Sequence, residues 1–202
     1  VASKGVRGDL EGAKQGMRIR IAKISDGQDI ADIYGPIVRD TSISFEEAPP
    51  SAKEMANRIE STLITHPWLV AEQDGRVVAY AYATQHRTRA AYQWSCDVSV
   101  YVGENTRRSG VARALYDCLF AILLTQGFAT AFAGIALPND ASVGFHKSMG
   151  FEAIGIYRRV GFKNGSWRDV IWWSRTLQNF KGAPPAPLRF SEATLDRGGA
   201  DK

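Results

Sequence analysis

The chain has 202 residues, 45% of them hydrophobic, and a formal net charge of +4, which suits one globular domain with a sizeable core. It has no apolar run of membrane-spanning length, no clustered Lys/Arg run of the kind that grips nucleic acid, and no apolar secretory core at its N-terminus, so a cytoplasmic protein without membrane or nucleic-acid partners is expected. Cys96 and Cys118 and the three histidines form no metal-ligand pattern; no metal is expected, and the cysteines read as buried free thiols.

Residues 1–16 are Gly- and charge-rich without periodicity and read as a disordered arm or a tag remnant, ahead of a single domain over 17–180. Arg18 to Ala22 alternates as a first strand. Ser25 and Gln28 resemble a capping box, opening a helix whose apolar stripe is Ile30, Ile33, Tyr34 and Ile37. Thr41 to Pro50 has no helical period and ends in two prolines; Ser51 and Glu54 then form a second capping box, for a helix through Met55, Ile59 and Leu63. A loop held between two capped helices suits the wall of a pocket. Trp68 to Gln73 and Arg76 to Ala83 make a hairpin about the turn Asp74-Gly75. Arg87, Arg89 and Tyr92 follow, and arginine matches the bidentate geometry of a carboxylate.

Ser95 to Gln126 organises the chain. Its first part sets polar Asp97 and Ser99 against Val98, Val100 and Val102, as in a half-buried strand; its last part spaces Leu115, Cys118, Leu119, Ile122 and Leu123 as a helix stopped by Gly127. Between them lies the basic turn Arg107-Arg108-Ser109-Gly110-Val111-Ala112. Unpaired N–H groups at a helix N-terminus, the helix dipole and the small Gly110 and Ala112 suit a pyrophosphate. The turn is neither a Walker A loop nor the three-glycine dinucleotide fingerprint. Ala129 to Ile135 reads as a strand, Asn139-Asp140 caps a short helix over Ala141 to Met149, and Ile154 to Gly161 leads through the Asn164-Gly165 turn to a strand over Trp167 to Thr176. Residues 181–202, rich in Pro, Ala and charge, read as an extended tail.

Arg107-x-x-Gly110-x-Ala112 after a strand resembles the acetyl-CoA loop of the GCN5-related N-acetyltransferases (GNAT). The ordered segments His66 to Glu72, Ala91 to Trp94, Val100 to Val102, Leu137 to Val143 and Gly161 to Val170 narrow the resemblance to the phosphinothricin and methionine sulfoximine type. The resemblance implies an α/β fold with a mixed, mostly antiparallel central sheet flanked by helices on both faces, and commonly a homodimer. It also implies acetyl-CoA as co-substrate and a small-molecule amine as acceptor, acetylated on its α-amino group by direct transfer in a ternary complex. Val100, Tyr101, Val102, the turn Arg107 to Ala112 including Ser109 and Val111, Asn139, Ser142 and Lys147 would hold the cofactor; Phe45, Glu46, Arg89 and Tyr92 would meet the acceptor.

Acyl transfer to an amine needs a proton acceptor, a donor for the developing oxyanion and help for the departing thiolate. Asp97 is the candidate base. Its reference pKa of about 3.9 requires either burial to raise it or an ordered water to carry the proton. The resembled family usually places Glu here, so the carboxylate is one methylene short. The N–H groups near Val100 and Val102 are the oxyanion candidates, and His146 matches the family histidine, as second base or as proton donor to the thiolate. The alternative acceptor is another amine, an aromatic amino acid, a polyamine or a protein N-terminus, with Phe45, Trp94 and Trp173 permitting an aromatic pocket; a catalytically weak CoA-binding module is the alternative from another class.

Overall fold

The computed structural model describes residues 16–191; apart from Gly16, the arm expected over 1–16 and residues 192–202 of the expected tail lie outside the described residues. The elements are β1 (Met17–Ile21), α1 (Gly27–Asp40), α2 (Ala52–Leu63), β2 (Trp68–Gln73), β3 (Arg76–Gln85), β4 (Ser95–Val102), α3 (Val111–Gln126), β5 (Thr130–Ala136), α4 (Asp140–Ser148), β6 (Glu152–Lys163) and β7 (Ser166–Thr176). The seven strands form one sheet in the order β1-β2-β3-β4-β5-β7-β6. Every neighbouring pair is antiparallel except β4 and β5, which run parallel because α3 carries the chain over the sheet between them. This is the expected mixed, mostly antiparallel α/β sheet.

Alternation along the strands sorts side chains onto two faces. Cys96 and Val98 of β4 join Leu115, Leu119 and Leu123 of α3 in one core; Ile30 and Val38 of α1 and Met55 and Ile59 of α2 build the other against Trp68, Val70 and Tyr80. Tyr101 packs edge-on to Tyr34 at 4.9 Å, so Asp97 and Ser99, at the same parity of β4, belong to the α1–α2 face. Among the described residues no helix is long and apolar enough to cross a membrane.

The capping signals resolve differently. Ser51 and Glu54 form the expected box, Ser51 N donating to Glu54 Oε2 at 2.7 Å and Glu54 N to Ser51 Oγ at 3.2 Å. The box expected at Ser25 and Gln28 is displaced: a 3₁₀ turn over Ile24–Asp26 precedes α1, and Lys23 N donates to Asp26 Oδ2 at 2.7 Å. Asp26 prevails because its carboxylate also takes Arg20 at 2.7 and 2.8 Å, an ion pair that a serine cannot make. Residues 181–191 of the expected extended tail are strapped along α3: Leu188 N donates to the Gln126 carbonyl at 2.8 Å, Gln126 Nε2 returns a bond to the Leu188 carbonyl at 2.8 Å, and Phe190 is buried.

The loop between α1 and α2 is pinned from β6. Lys163 is buried, and its ammonium donates to the carbonyls of Val38 at 2.6 Å, Ser44 at 2.7 Å and Glu46 at 2.8 Å, using all three protons. Phe45 lies against Gly161, which leaves no room for a Cβ there. Lys163→Met would leave three carbonyls without that donor and is expected to cost roughly 1–3 kcal/mol, read as a lower urea midpoint with an unchanged slope.

Candidate functional site

The basic turn has the backbone that an anion cradle needs. Arg108 and Gly110 adopt φ of 63° and 89°, and Gly110 serves as N-cap of α3 with open space around it. The first intrahelical bond is Ala114 N to the Gly110 carbonyl at 3.2 Å, so the amides just before Ala114 precede the helical ladder. Arg107 and Arg108 are exposed beside them. Arg113 instead turns to α4, donating to Ser148 Oγ at 2.9 Å and tying the two helices together.

The second feature is a gap in the sheet. β4 pairs with β5 only where Ser95, Cys96 and Asp97 meet Thr130, Ala131 and Phe132; beyond that rung β5 pairs with β7 alone. Gly103 N donates to the Val78 carbonyl at 2.8 Å, so by the two-residue alternation of an antiparallel ladder the N–H groups of Val98, Val100 and Val102 face away from β3; that of Val98 is used by the last β4–β5 rung, and those of Val100 and Val102 face into the gap. Val100 and Tyr101 share a cavity of about 70 Å³ there with Asn139, Ser142 and His146 of the α4 end. Val102 and Arg107 share a neighbouring cavity of about 340 Å³ with Asp29 and Arg76. Lys147 is exposed on α4.

The candidate base and the candidate histidine have different partners from those the sequence suggested. Asp97 Oδ1 accepts the Nδ1–H of His86 at 2.6 Å, and the imidazole stacks on Phe132 at 4.3 Å between ring centroids. Burial pushes the Asp97 carboxyl up from the usual range, against the opposing pull of His86 and then Arg87. His146 Nδ1–H donates to the Ser142 carbonyl at 2.8 Å, and its Nε2 accepts the Tyr116 hydroxyl at 3.1 Å. Both ring nitrogens are therefore engaged, and burial holds the imidazole below its ordinary pKa. Asn139 Oδ1 accepts Ser142 N at 3.1 Å and so caps α4. Burial pushes the Cys96 and Cys118 thiols up, which leaves neither as a ready thiolate nucleophile.

Among the residues expected to meet the acceptor, Glu46 is gripped by Arg58 at 2.8 and 2.9 Å and takes the Tyr34 hydroxyl at 3.0 Å; the Arg58 bonds hold its carboxyl below the usual range. Arg58, with Tyr34, Tyr82 and Thr84, lines a cavity of about 200 Å³. Tyr92 reaches the site edge-on to His86 at 6.0 Å, while Arg89 stands exposed at the start of a 3₁₀ turn over Ala90–Tyr92. The aromatic pocket built from Phe45, Trp94 and Trp173 does not form. Trp173 is buried in the α3 core, Trp94 Nε1 donates to the Pro185 carbonyl at 2.7 Å, and Phe45 covers Gly161. The rings that do gather are Phe132, Trp172, Tyr157 and Tyr92, with Arg87 over Trp172 at 5.7 Å. His86, Arg58 and Tyr116 escaped the sequence reading. Only the β3–β4 register, which sets Gln85 opposite Cys96, brings position 86 beside Asp97. Among the described residues no three His, Cys, Asp or Glu side chains gather as metal ligands.

Comparison with known proteins agrees with this architecture. The model of the acetyltransferase (GNAT) domain matches residues 19–172. A phosphinothricin N-acetyltransferase of Streptomyces viridochromogenes is 36% identical over 173 residues, covering 86% of this chain and 93% of that protein. An L-methionine sulfoximine/L-methionine sulfone acetyltransferase of Pseudomonas aeruginosa is 31% identical, over 82% of this chain and 98% of its own length. The crystal structure of a GNAT superfamily phosphinothricin acetyltransferase from Sinorhizobium meliloti in complex with AcCoA superposes with a TM-score of 0.79 at 32% identity, over 85% and 94% of the two chains.

The buried histidines set an acid limit. Burial lowers His66, whose ring is tilted against Phe128 at 5.2 Å between centroids, to about 4, and lowers His146 as well, while an unfolded histidine titrates at about 6.5. The unfolded chain therefore takes up protons that the fold refuses. Stability is expected to be level above about pH 6.5 and to fall toward pH 4. Thermal melts across that window should show a shallower fall in His66→Gln.

Proposed function

This chain belongs to the GNAT acetyltransferase family and is an acetyl-CoA-dependent N-acetyltransferase, and we propose that its acceptor is the α-amino group of a small amino-acid-like molecule: phosphinothricin, methionine sulfoximine or methionine sulfone. The observation that carries the proposal is the gap between β4 and β5, open at one end to the basic turn and closed at the other by the rung that bears Asp97.

The amides at the head of α3, with Arg107 and Arg108, would hold the pyrophosphate of the co-substrate, and the small residues of the turn let it approach the main chain. Its thioester supplies the activated acetyl group. The N–H groups that β4 turns into the gap, Val100 above all, are placed to stabilise negative charge on the carbonyl oxygen. Asp97 stands at the closed end on the α1–α2 face, the side from which an amine can enter opposite α3. His146, with both nitrogens engaged, acts by holding the Tyr116 hydroxyl and is a positioning residue. Arg87, Arg89 and Tyr92 supply cations and a phenol for the acceptor carboxylate, and Phe45 and Glu46 shape its wall through the Lys163 and Arg58 contacts. The high thiol pKa values support direct transfer over an acetyl-cysteine intermediate. Phe132, Trp172 and Tyr157 favour an aromatic amino acid as the second reading.

Thiol release over a panel of amines tests this. Turnover with the three named compounds is expected; turnover only with aromatic amino acids selects the second reading, and acetyl-CoA binding without turnover on any amine overturns both. Asp97→Asn is expected to lower kcat/KM by roughly 10²–10⁴ while leaving acetyl-CoA affinity by calorimetry near the parent value.

A homodimer and cytoplasmic residence belong to the same reading. Support for the dimer is the outer edge of the sheet at β6, a strand paired with β7 on one side only, where Ile154, Ile156, Tyr157, Val160 and Phe162 are exposed. Sedimentation should give twice the chain mass, and Ile156→Lys with Phe162→Glu should halve it.

A further inference from the structure

Asp97 and Phe132 form the last rung that joins β4 to β5, and the His86 ring lies on Phe132 with its Nδ1–H on Asp97. The imidazole thus sits over the point where the gap begins. A ligand anchored by its diphosphate at the opposite end, beyond Val102, is carried back along β4 toward this apex. Its acyl end and His86 therefore share one region. The ring is fixed on every side: Phe132 stacks beneath it, Tyr92 and Trp172 stand edge-on at 6.0 Å each, and only 11% of its side chain is exposed. Nδ1 is committed to the carboxylate. Nε2 has no hydrogen-bond partner among the described residues and is not sealed from solvent, as a buried unpartnered nitrogen would be. A carboxylate that orients an imidazole through Nδ1–H and leaves Nε2 bare is the arrangement that makes a positioned histidine a proton acceptor.

We propose that His86 Nε2 is the group that takes the proton from the acceptor amine, and that Asp97 is the positioning residue that holds its tautomer and steadies the imidazolium. The proposal rests on the N-acetyltransferase reading. The acceptor ammonium gives one proton to Nε2, and its freed lone pair forms the C–N bond at the thioester carbon. The C–S bond breaks, the sulfur leaves with the electron pair, and the second amine proton passes to that thiolate. The imidazolium then returns its proton to solvent, so one ammonium and one thioester become one amide, one thiol and one released proton. The charged and titratable groups around the ring are Asp97 from β4, Tyr92 from the turn before it and Arg87 next in sequence.

Two measurements decide it. Imidazole ¹⁵N spectra of the wild-type protein without ligands should show the neutral His86 ring protonated on Nδ1; a neutral ring protonated on Nε2 overturns the proposal without reference to turnover. In His86→Gln, kcat/KM for the amine should fall about 100-fold or more and lose the acidic limb of its pH profile, with acetyl-CoA affinity unchanged, and added imidazole should restore part of the rate in His86→Gly. A His86→Gln enzyme that keeps the wild-type acidic limb and rate returns the base role to Asp97. A wild-type protein that releases no thiol with any amine refutes the N-acetyltransferase reading itself, and the ¹⁵N spectra still report on His86.

Discussion

The site depends on one interrupted strand pairing. β4 and β5 are held together at Ser95–Asp97 and Thr130–Phe132 and nowhere further along. Each strand has a stronger claim on its other edge: β4 follows β3 from Cys96 to Val102, and β5 follows β7 from Thr130 to Ala136. Antiparallel partners on the outer edges draw the two strands apart, and the twist of the sheet widens the opening with each residue. Backbone N–H groups that would be paired in a continuous sheet are left facing the gap, and such groups require a partner. An extended ligand with a carbonyl and a diphosphate meets that requirement, while water meets it in the ligand's absence. The helix that links β4 to β5 begins after the unpaired end of β4, so the anion cradle and the hydrogen-bonding edge are two results of a single crossover.

The loop proposed as the acceptor wall depends on a different set of polar contacts, buried at Lys163 and half-buried at Glu46 and Arg58. Lys163 reaches from β6 to three carbonyls at the end of α1 and in the loop after it, and Glu46 of that loop is bound by Arg58 of α2. Within the loop Ile43 N donates to Thr41 Oγ1 and Glu46 N to Ser44 Oγ, both at 3.1 Å, and the contacts from β6 and α2 add the restraints that hold it against the helices. β6 is also the outer strand of the sheet, and its exposed apolar face is the surface proposed for the dimer contact. The same strand thereby carries both the Lys163 clamp on that loop and the edge that a second copy would cover, so the proposed dimer would be coupled to the shape of the proposed acceptor pocket.

The elements that could be read from the sequence are those set by local rules. Alternation located β4, the Asp74-Gly75 turn located the β2–β3 hairpin, the Ser51–Glu54 box located α2, and the basic turn located the head of α3. Features set by register or by distant partners were not legible. Ser25 lost the cap of the first helical turn to Asp26 because Arg20, on a neighbouring strand, rewards a carboxylate there. Trp173 resembles a pocket residue until the parity of β7 turns it toward α3, and Trp172, its neighbour in sequence, then becomes the ring that lies over Gly134. His146 matched a catalytic histidine by position, yet only the fold reveals that Tyr116 and the Ser142 carbonyl occupy both of its nitrogens.

The aspartate at the base position and the unforeseen histidine account for each other. Where the resembled family places Glu, this chain has a side chain one methylene shorter, anchored in a strand whose backbone is fixed by β3 on one side and β5 on the other. Strand geometry cannot move that carboxylate outward by a bond length without breaking the last rung before the gap. An imidazole from the end of β3 covers the missing reach: it accepts its position from Asp97 through a 2.6 Å hydrogen bond and presents its far nitrogen a ring's width beyond the carboxylate. The exchange also suits the chemistry. A carboxyl must be raised well above its ordinary range to serve as a base near neutrality, and that requires burial, whereas an imidazole changes charge near neutrality and benefits from an ionised carboxylate behind it. Burial of Asp97, unfavourable for a lone carboxylate, then becomes an asset, because the low-dielectric surroundings strengthen its hold on the proton that keeps Nε2 bare.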